Sequence, residues 1–276
     1  MPMQVNYSKG TANGAVIKRI VGGSDKKEPV FNFIKLSFCN QDTTDYYLNH
    51  LTENFVVTGD VTNFKASNLL YEMGRCCKAN KIELNKTINI TASHKVSYID
   101  ASYIFQNCPN LETVEGSGCF NVDVPISLAN AFAQCPKLKS VDMSIFQGTD
   151  NGGAYTDAAT MFQGCASLEE IINLDLQNVK TGMGNTFGSG DQYAPPLKRL
   201  TFKKDTVFAK YYRNDTTLYL YHVTTLTRDA LMEMLESMGT NDTGYVRKIM
   251  LKSAVYELLS EDDIAAFTAK NYTVAC

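Results

Sequence analysis

Residues 160–171 read TMFQGCASLEEI, with Phe162, Cys165, Leu168 and Ile171 standing three apart. That spacing alone fits one face of a helix, a loop carrying a reactive cysteine, or one copy of a repeated unit. The rest of the chain decides between them. Phe105, Cys108, Leu111 and Val114 repeat the pattern in IFQNCPNLETV, and Phe132, Cys135, Leu138 and Val141 repeat it in AFAQCPKLKSV. Looser copies flank these. Met73, Cys76, Ala79 and Ile82 lie upstream, and Phe187 with Leu197 and Leu200 lies downstream, where GSGDQYAPP stretches the unit. The leading residues 73, 105, 132, 162 and 187 are 32, 27, 30 and 25 residues apart. Such steps belong to solenoid repeats, whose units bury their apolar faces only by stacking.

Each unit divides into two halves. Small residues precede the phenylalanine (Ala101 and Ser102, Ala129, Ala158 and Ala159), which predicts one or two helical turns packed closely on a neighbour. After the cysteine, LETVEG, LKSVDM, LEEIIN and LKRLTF set aliphatic residues among charged ones and predict short strands, entered through a turn-forming Cys-Pro or Cys-Ala step. Stacked copies place these strands side by side in a curved parallel sheet. In that setting the repeated cysteine reads as a small buried apolar residue, since a catalytic thiol is needed once and not at every unit.

The pattern A-F-x-x-C-x-x-L-x-x-V/I resembles the BspA-like leucine-rich repeat, with NCPNLETV and QCPKLKSV close to its consensus. The resemblance spans roughly residues 64–204. It implies an α/β fold, a leucine-rich-repeat solenoid with short helical turns and a curved parallel sheet. Its members are bacterial surface, protozoan and bacteriophage proteins that act in recognition and adhesion. Uneven repeat lengths and the absence of the regular strand-ending proline predict a short, irregular solenoid here.

Both ends are expected to cap it. Residues 1–30, rich in Gly, Lys and polar groups, read as a poorly ordered arm or as a docking tail that orders on a partner. Residues 31–63 read as an N-terminal cap, with strands in FNFIKLSF and ENFVVTGDV around a helical TDYYLNHL. Residues 205–276 read as a C-terminal α/β cap. There TLYLYHV (residues 217–223), RKIMLKS and YTVAC are strands, and TRDALMEMLESMG is a helix with Thr227 as N-cap, Leu231, Met234, Leu235 and Met238 on one face, and Gly239 as its stop. A second helix, in LSEDDIAAFTAKN, is capped by Ser260 with Asp263 three residues on. LLSEDDIAAFTAKNYTVAC, with the preceding LTRDALMEML, resembles C-terminal segments of bacteriophage tail-associated proteins, with Asn271 and Tyr272 where those usually carry Gly-Trp.

Bulk properties narrow the function. The chain has 276 residues, of which 44% are hydrophobic and 20% charged, enough to build a substantial core. A net charge of −3 gives no basic footprint, so nucleic acid is not an expected partner. Apolar runs are far shorter than the roughly 18 residues of a membrane span, and the N-terminal residues lack the continuous apolar core of a signal peptide, so synthesis and folding in a cytosol are expected. The eight cysteines form no C-x-x-C pair and have no histidines at zinc spacing; with no export signal, buried free thiols are expected, with neither metal nor disulfides. GMGNTFGSG does not match G-x-G-x-x-G and reads as a loop of the stretched unit. His50, His94 and His222 share no spacing with a nucleophile, and Asp262 and Asp263 read as helix-capping acids. The N-x-[ST] triplets at Asn85, Asn89, Asn214, Asn241 and Asn271 carry no glycosylation argument without export.

What remains is the face of the strand ladder opposite its apolar anchors. Alternation places Lys81 and Glu83, Thr113 and Glu115, Ser140 and Asp142, Glu170 and Ile172, and Arg199 and Thr201 outward, continued by Tyr219 and Tyr221. Solenoids use such ladders as broad binding surfaces. The expected function is therefore non-enzymatic and without cofactor: a structural or receptor-binding protein of a bacteriophage particle, tail- or fibre-associated. It is made in the host cytoplasm, located in the virion, and acts by protein–protein contact. Its partners would be other virion proteins or a host cell-surface receptor, without membrane insertion; a homo-oligomer is compatible, though no heptad pattern specifies one. The alternative is a bacterial surface protein of adhesion or host interaction.

Overall fold

A computed structural model describes residues 98–116, 118–148, 155–179 and 183–276, and before them residues 18–20, 30–32, 55–58, 63–65, 70–71, 80–84 and 87–91. It is a mixed α/β structure, rich in parallel sheet with few helices. In chain order the strands are β1 (Lys18–Ile20), β2 (Val30–Asn32), β3 (Phe55–Thr58), β4 (Asn63–Lys65), β5 (Lys81–Leu84), β6 (Ile88–Thr91), β7 (Ile99–Asp100), β8 (Thr113–Gly116), β9 (Phe120–Val122), β10 (Ile126–Ser127), β11 (Ser140–Asp142), β12 (Phe146–Gly148), β13 (Tyr155–Asp157), β14 (Glu170–Leu174), β15 (Arg199–Phe202) and β16 (Thr216–Tyr219). Helix α1 (Arg228–Ser237), β17 (Arg247–Met250), α2 (Ser253–Tyr256), α3 (Glu261–Ala269) and β18 (Tyr272–Ala275) complete the chain.

The long sheet has the order β1-β2-β3-β5-β8-β11-β14-β15, parallel except for the antiparallel β1–β2 pair. Two smaller parallel sheets, β4-β6-β9-β12 and β7-β10-β13, were not foreseen from the sequence. Between residues 99 and 174 the chain visits the three sheets in a fixed rotation, so equivalent residues of successive passes lie side by side. In the long sheet Phe55, Ile82, Val114, Val141, Ile171 and Leu200 form one row of register partners. From Val114 on these are fully buried, as are Leu111, Leu138, Leu168 and Leu197. Phe105, Phe132, Phe162 and Phe187 form a second row whose rings meet at 5.6, 5.7 and 6.1 Å. Aromatic pairs at this separation add about 0.5–1.5 kcal/mol each beyond area burial.

Ahead of Cys108, Cys135 and Cys165 the segment is not helical, which corrects the expected helical turns of these units. It is a run of tight turns: Ile104 N–H donates to Ala101 O and Gln106 N–H to Tyr103 O, with the same bonds from Ala131 to Leu128 and Ala133 to Asn130. Tyr103, Asn130 and Thr160 stand at φ of 61°, 56° and 51°, and Asn107, Gln134 and Gly164 at 57°, 62° and 77°. Positive φ interrupts a right-handed helix and suits the third place of a type II turn. It also turns alternate N–H groups outward to the next pass: Tyr103, Phe105 and Asn107 donate to Ala129, Ala131 and Ala133 at 2.9, 2.8 and 2.9 Å, and Asn130, Phe132 and Gln134 repeat the bonds one pass on. The small residues Ala101 and Ala158 are fully buried at this seam.

The C-terminal region holds its predicted elements with altered bounds. Thr227 caps α1, accepting from Ala230 N–H, and Ser260 and Asp263 form a reciprocal capping box at α3. The strand expected over 217–223 is confined to β16, and α2 was not foreseen. Gly239 does not end α1 by a left-handed conformation. The helix stops at an extended Met238, and Gly239 is needed because a Cβ there would strike the Asp205 carbonyl. β16, β17 and β18 form a separate parallel sheet, while α1 packs on β15. The core is continuous across residue 204, running from Leu70 to Val274. At the N-terminal side, β1 lies within the stretch expected to be an arm, and β2 and β3 join the long sheet. The helix expected in TDYYLNHL, the leading part of the Met73 unit, and His50 and His94 lie outside the described residues.

Candidate binding surfaces

Several of the positions expected on the outward row are register partners. Lys81, Thr113, Ser140, Glu170 and Arg199 are successive partners in the long sheet, and two positions further along each strand Glu83 pairs with Glu115 and Asp142 with Ile172. Thr201 follows Arg199 beyond a register shift between Ile171 and Leu174. These positions alternate with the buried row, which is why a period of two located them. All whose burial is described are partly or largely exposed.

The charges of this face are largely satisfied within it. Lys81 pairs with Glu115 at 2.5 Å, and Arg199 bridges Glu170 at 2.5 Å and Glu233 of α1 at 2.8 Å. Hydrogen bonds donated to Glu233 and Glu170 raise the Arg199 pKa above its already high ordinary value. Asp142 has a structural role: its Oδ1 accepts from Ser144 N–H and from Asn173 Nδ2, both at 2.9 Å, starting a 3₁₀ turn over Met143–Ile145. Along the neighbouring edge, Glu112, Lys139, Glu169 and Lys198 alternate in sign, with Lys139 on Glu112 at 2.6 Å and Lys198 on Glu169 at 2.7 Å. Exposed pairs of this kind contribute little individually, but their alternation disfavours a shifted stacking of the passes. The outcome is a broad polar surface of balanced charge around the half-buried Ile172.

Tyr219 and Tyr221 do not continue this ladder. After β15 the chain turns at Asp205, at φ 62°, and α1 occupies the space beside β15. Tyr219 therefore belongs to β16 of the C-terminal sheet, and Tyr221 follows it in a turn. Both remain exposed, at 42% and 41%. Beside Tyr221 the fold assembles a cluster that sequence spacing did not reveal. Asp191 accepts from or pairs with His222 Nδ1 at 2.7 Å and forms an ion pair with Lys252, whose ammonium lies 6.0 Å from the Tyr221 ring centroid. Lys252 first and His222 second hold the Asp191 carboxyl below its usual range, and Asp191 raises Lys252. Asp191 and His222 are 31 residues apart, close to one repeat length, and that separation is the one sequence signal that points to their meeting.

This cluster clamps the stretched loop, Met183 to Ala194, onto the C-terminal sheet. Among the described residues the hydrogen-bond partner of His222 is Asp191. No three His, Cys, Asp or Glu side chains gather as metal ligands among them. Cys119, Cys135 and Cys165 are buried free thiols, Cys108 is buried, and Cys276 is exposed. No described helix is long and apolar enough to cross a membrane. No family model, no curated protein and no solved structure matches this chain.

Proposed function

We propose that the chain is an irregular BspA-like leucine-rich-repeat solenoid, capped at both ends, that serves as a non-enzymatic structural or receptor-binding component of a bacteriophage particle, tail- or fibre-associated. One observation supports it most. The residues that resemble the family's repeat, Phe, Cys, Leu and Val or Ile, fall on matching rungs of parallel passes and leave outward rows of polar, charge-balanced side chains. Surfaces of this breadth suit protein–protein contact, with partners among virion proteins or at a host receptor. Assignment to a virion rests on the resemblance of residues 258–276 to phage tail-associated segments.

Mass spectrometry of purified particles from the source of this sequence tests the proposal. Peptides at fixed stoichiometry with the tail proteins are expected. Absence from particles, with recovery from the envelope of uninfected bacteria, would establish the surface-adhesion alternative instead. Ile172→Arg and Glu115→Arg on the outward face are expected to weaken attachment or incorporation while leaving the thermal unfolding midpoint near that of the parent chain.

A further inference from the structure

The C-terminal sheet buries one face and leaves the other open. Leu218, Ile249 and Val274 are buried register partners, and on the opposite face register sets Tyr219, Met250 and Ala275 in one row. Tyr219 is 42% exposed, and Met250 and Ala275 are partly exposed. At a strand spacing of roughly 4.8 Å the row is an apolar stripe about 10 Å long across the three strands. Lysines flank it, Lys248 two places before Met250 and Lys252 two places after. Lys252 is held by Asp191, whereas Lys248 has no ion-pair partner among the described residues. Wholly parallel sheets are usually covered on both faces, so this stripe is a place for a covering element.

The same region presents a surface of opposite character. After α2, Leu258 N–H donates to Val255 O and Leu259 N–H to Tyr256 O, closing a tight turn. Leu259 joins the core, while Leu258 is 47% exposed. Exposed Glu257 precedes it and exposed Glu261 and Asp262 follow, none with an ion-pair partner among the described residues. The α3 capping box uses Ser260 and Asp263 and leaves Leu258 and these acids free of it.

Each surface carries what the other lacks. Stripe against stripe would oppose lysines, and leucine turn against leucine turn would oppose acids, both unfavourable. Leucine turn on stripe buries apolar groups on both sides and sets acids against Lys248. Within one chain Leu258 stays exposed, so the contact needs a second molecule.

We propose that a second copy of this chain docks here, with Leu258 of one copy seated on Tyr219 and Met250 of the other and its neighbouring acids facing Lys248. So compact a contact is weak and depends on concentration. It shares no residue with the outward row from Lys81 to Thr201, so its failure would leave the proposed function untouched.

Sedimentation velocity of the full chain from about 5 to about 500 µM tests it. The weight-average sedimentation coefficient of the parent is expected to rise with concentration. Leu258→Arg and Met250→Glu, each alone, should weaken association about tenfold or more. Tyr211→Ala, at an exposed tyrosine outside both surfaces, should leave it unchanged. An equimolar mixture of Leu258→Arg and Met250→Glu should recover association, because one intact stripe and one intact leucine remain between the two. If either variant lowers the thermal unfolding midpoint, Leu258→Ser and Lys248→Glu take their places. The proposal is overturned by a single monomeric species over the whole range, by association that survives these substitutions in folded protein, or by a mixture that fails to associate.

Discussion

Cys135 donates its thiol hydrogen to the backbone carbonyl of Phe105, 30 residues earlier, across 3.0 Å, and Cys165 repeats the bond to Phe132 at 3.1 Å. The repeated cysteine is therefore more than a small apolar filler. It satisfies, inside the core, a carbonyl from the preceding pass that would otherwise lack a partner, in a space a larger side chain would not enter.

Cys135→Ala is accordingly expected to cost about 1–3 kcal/mol, because it leaves the Phe105 carbonyl unpaired and opens a small void. Urea unfolding at equilibrium measures this, with Cys165→Ala behaving alike. Burial also pushes the Cys165 thiol well above its ordinary pKa, with Cys135 adding to the rise. In native protein at about pH 8, a thiol reagent should label Cys276 and spare Cys108, Cys135 and Cys165, as read by peptide mass spectrometry.

Arg247 is fully buried and donates to five backbone carbonyls: Phe208, Ala209, Tyr212, Asn214 and Val246, at 2.8–3.2 Å. Desolvation lowers its pKa, and nearby Asp215 opposes that. Arg247→Met should destabilise by about 3 kcal/mol or more, since several carbonyls lose their donor together. Arg247→Lys should rescue little of this, as an ammonium has three donors and no planar fork. Thermal unfolding of both variants checks the order.

Gly239 and Gly184 separate close approach from open surface. Gly239→Ala drives a Cβ into the Asp205 carbonyl and should cost about 1–3 kcal/mol, whereas Gly184→Ala meets only the Tyr219 ring at 3.8 Å and should be close to neutral. Denaturant midpoints compared under one condition distinguish them.

Asp263 accepts both arms of Arg228, at 2.7 and 2.6 Å, and closes the α3 capping box. The Arg228 bond first, then the Ser260 backbone N–H, hold its carboxyl far below the usual range. A depressed folded pKa contributes stability that is fully present above the unfolded value of about 3.9 and is lost as pH falls toward the folded value. Urea midpoints should therefore decline below about pH 4, and Asp263→Asn should be less stable at neutral pH and show a shallower acid decline.

The strand rungs were legible because they depend on local chemistry repeated along the chain. An apolar residue every second place in a strand, returning after each unit, specifies which side chains face inward, and the outward row from Lys81 to Thr201 followed from the same alternation. Helix starts at Thr227 and Ser260 were legible for a similar reason, since capping needs only neighbours within one turn. The turns ahead of Cys108, Cys135 and Cys165 were misread as helical because Tyr103 and Thr160, unlike Asn130, are not residue types that favour positive φ, and hydrogen bonds to the next pass hold that conformation.

Composition, the repeat and its buried anchors were thus determined by the sequence itself, through side-chain periodicity and turn chemistry that act within a unit. Tertiary structure alone decided the placement of α1 against β15, which moved Tyr219 to another sheet and Tyr221 to the turn after it, and it brought Asp191 to His222 and Lys252, and Arg247 to the carbonyls of Phe208, Ala209, Tyr212 and Asn214. The physical reason is common to all of them. Each is a contact between groups roughly 30 or more residues apart, or between elements that compete for one sheet edge, and its energy is realised only when neighbouring passes have packed.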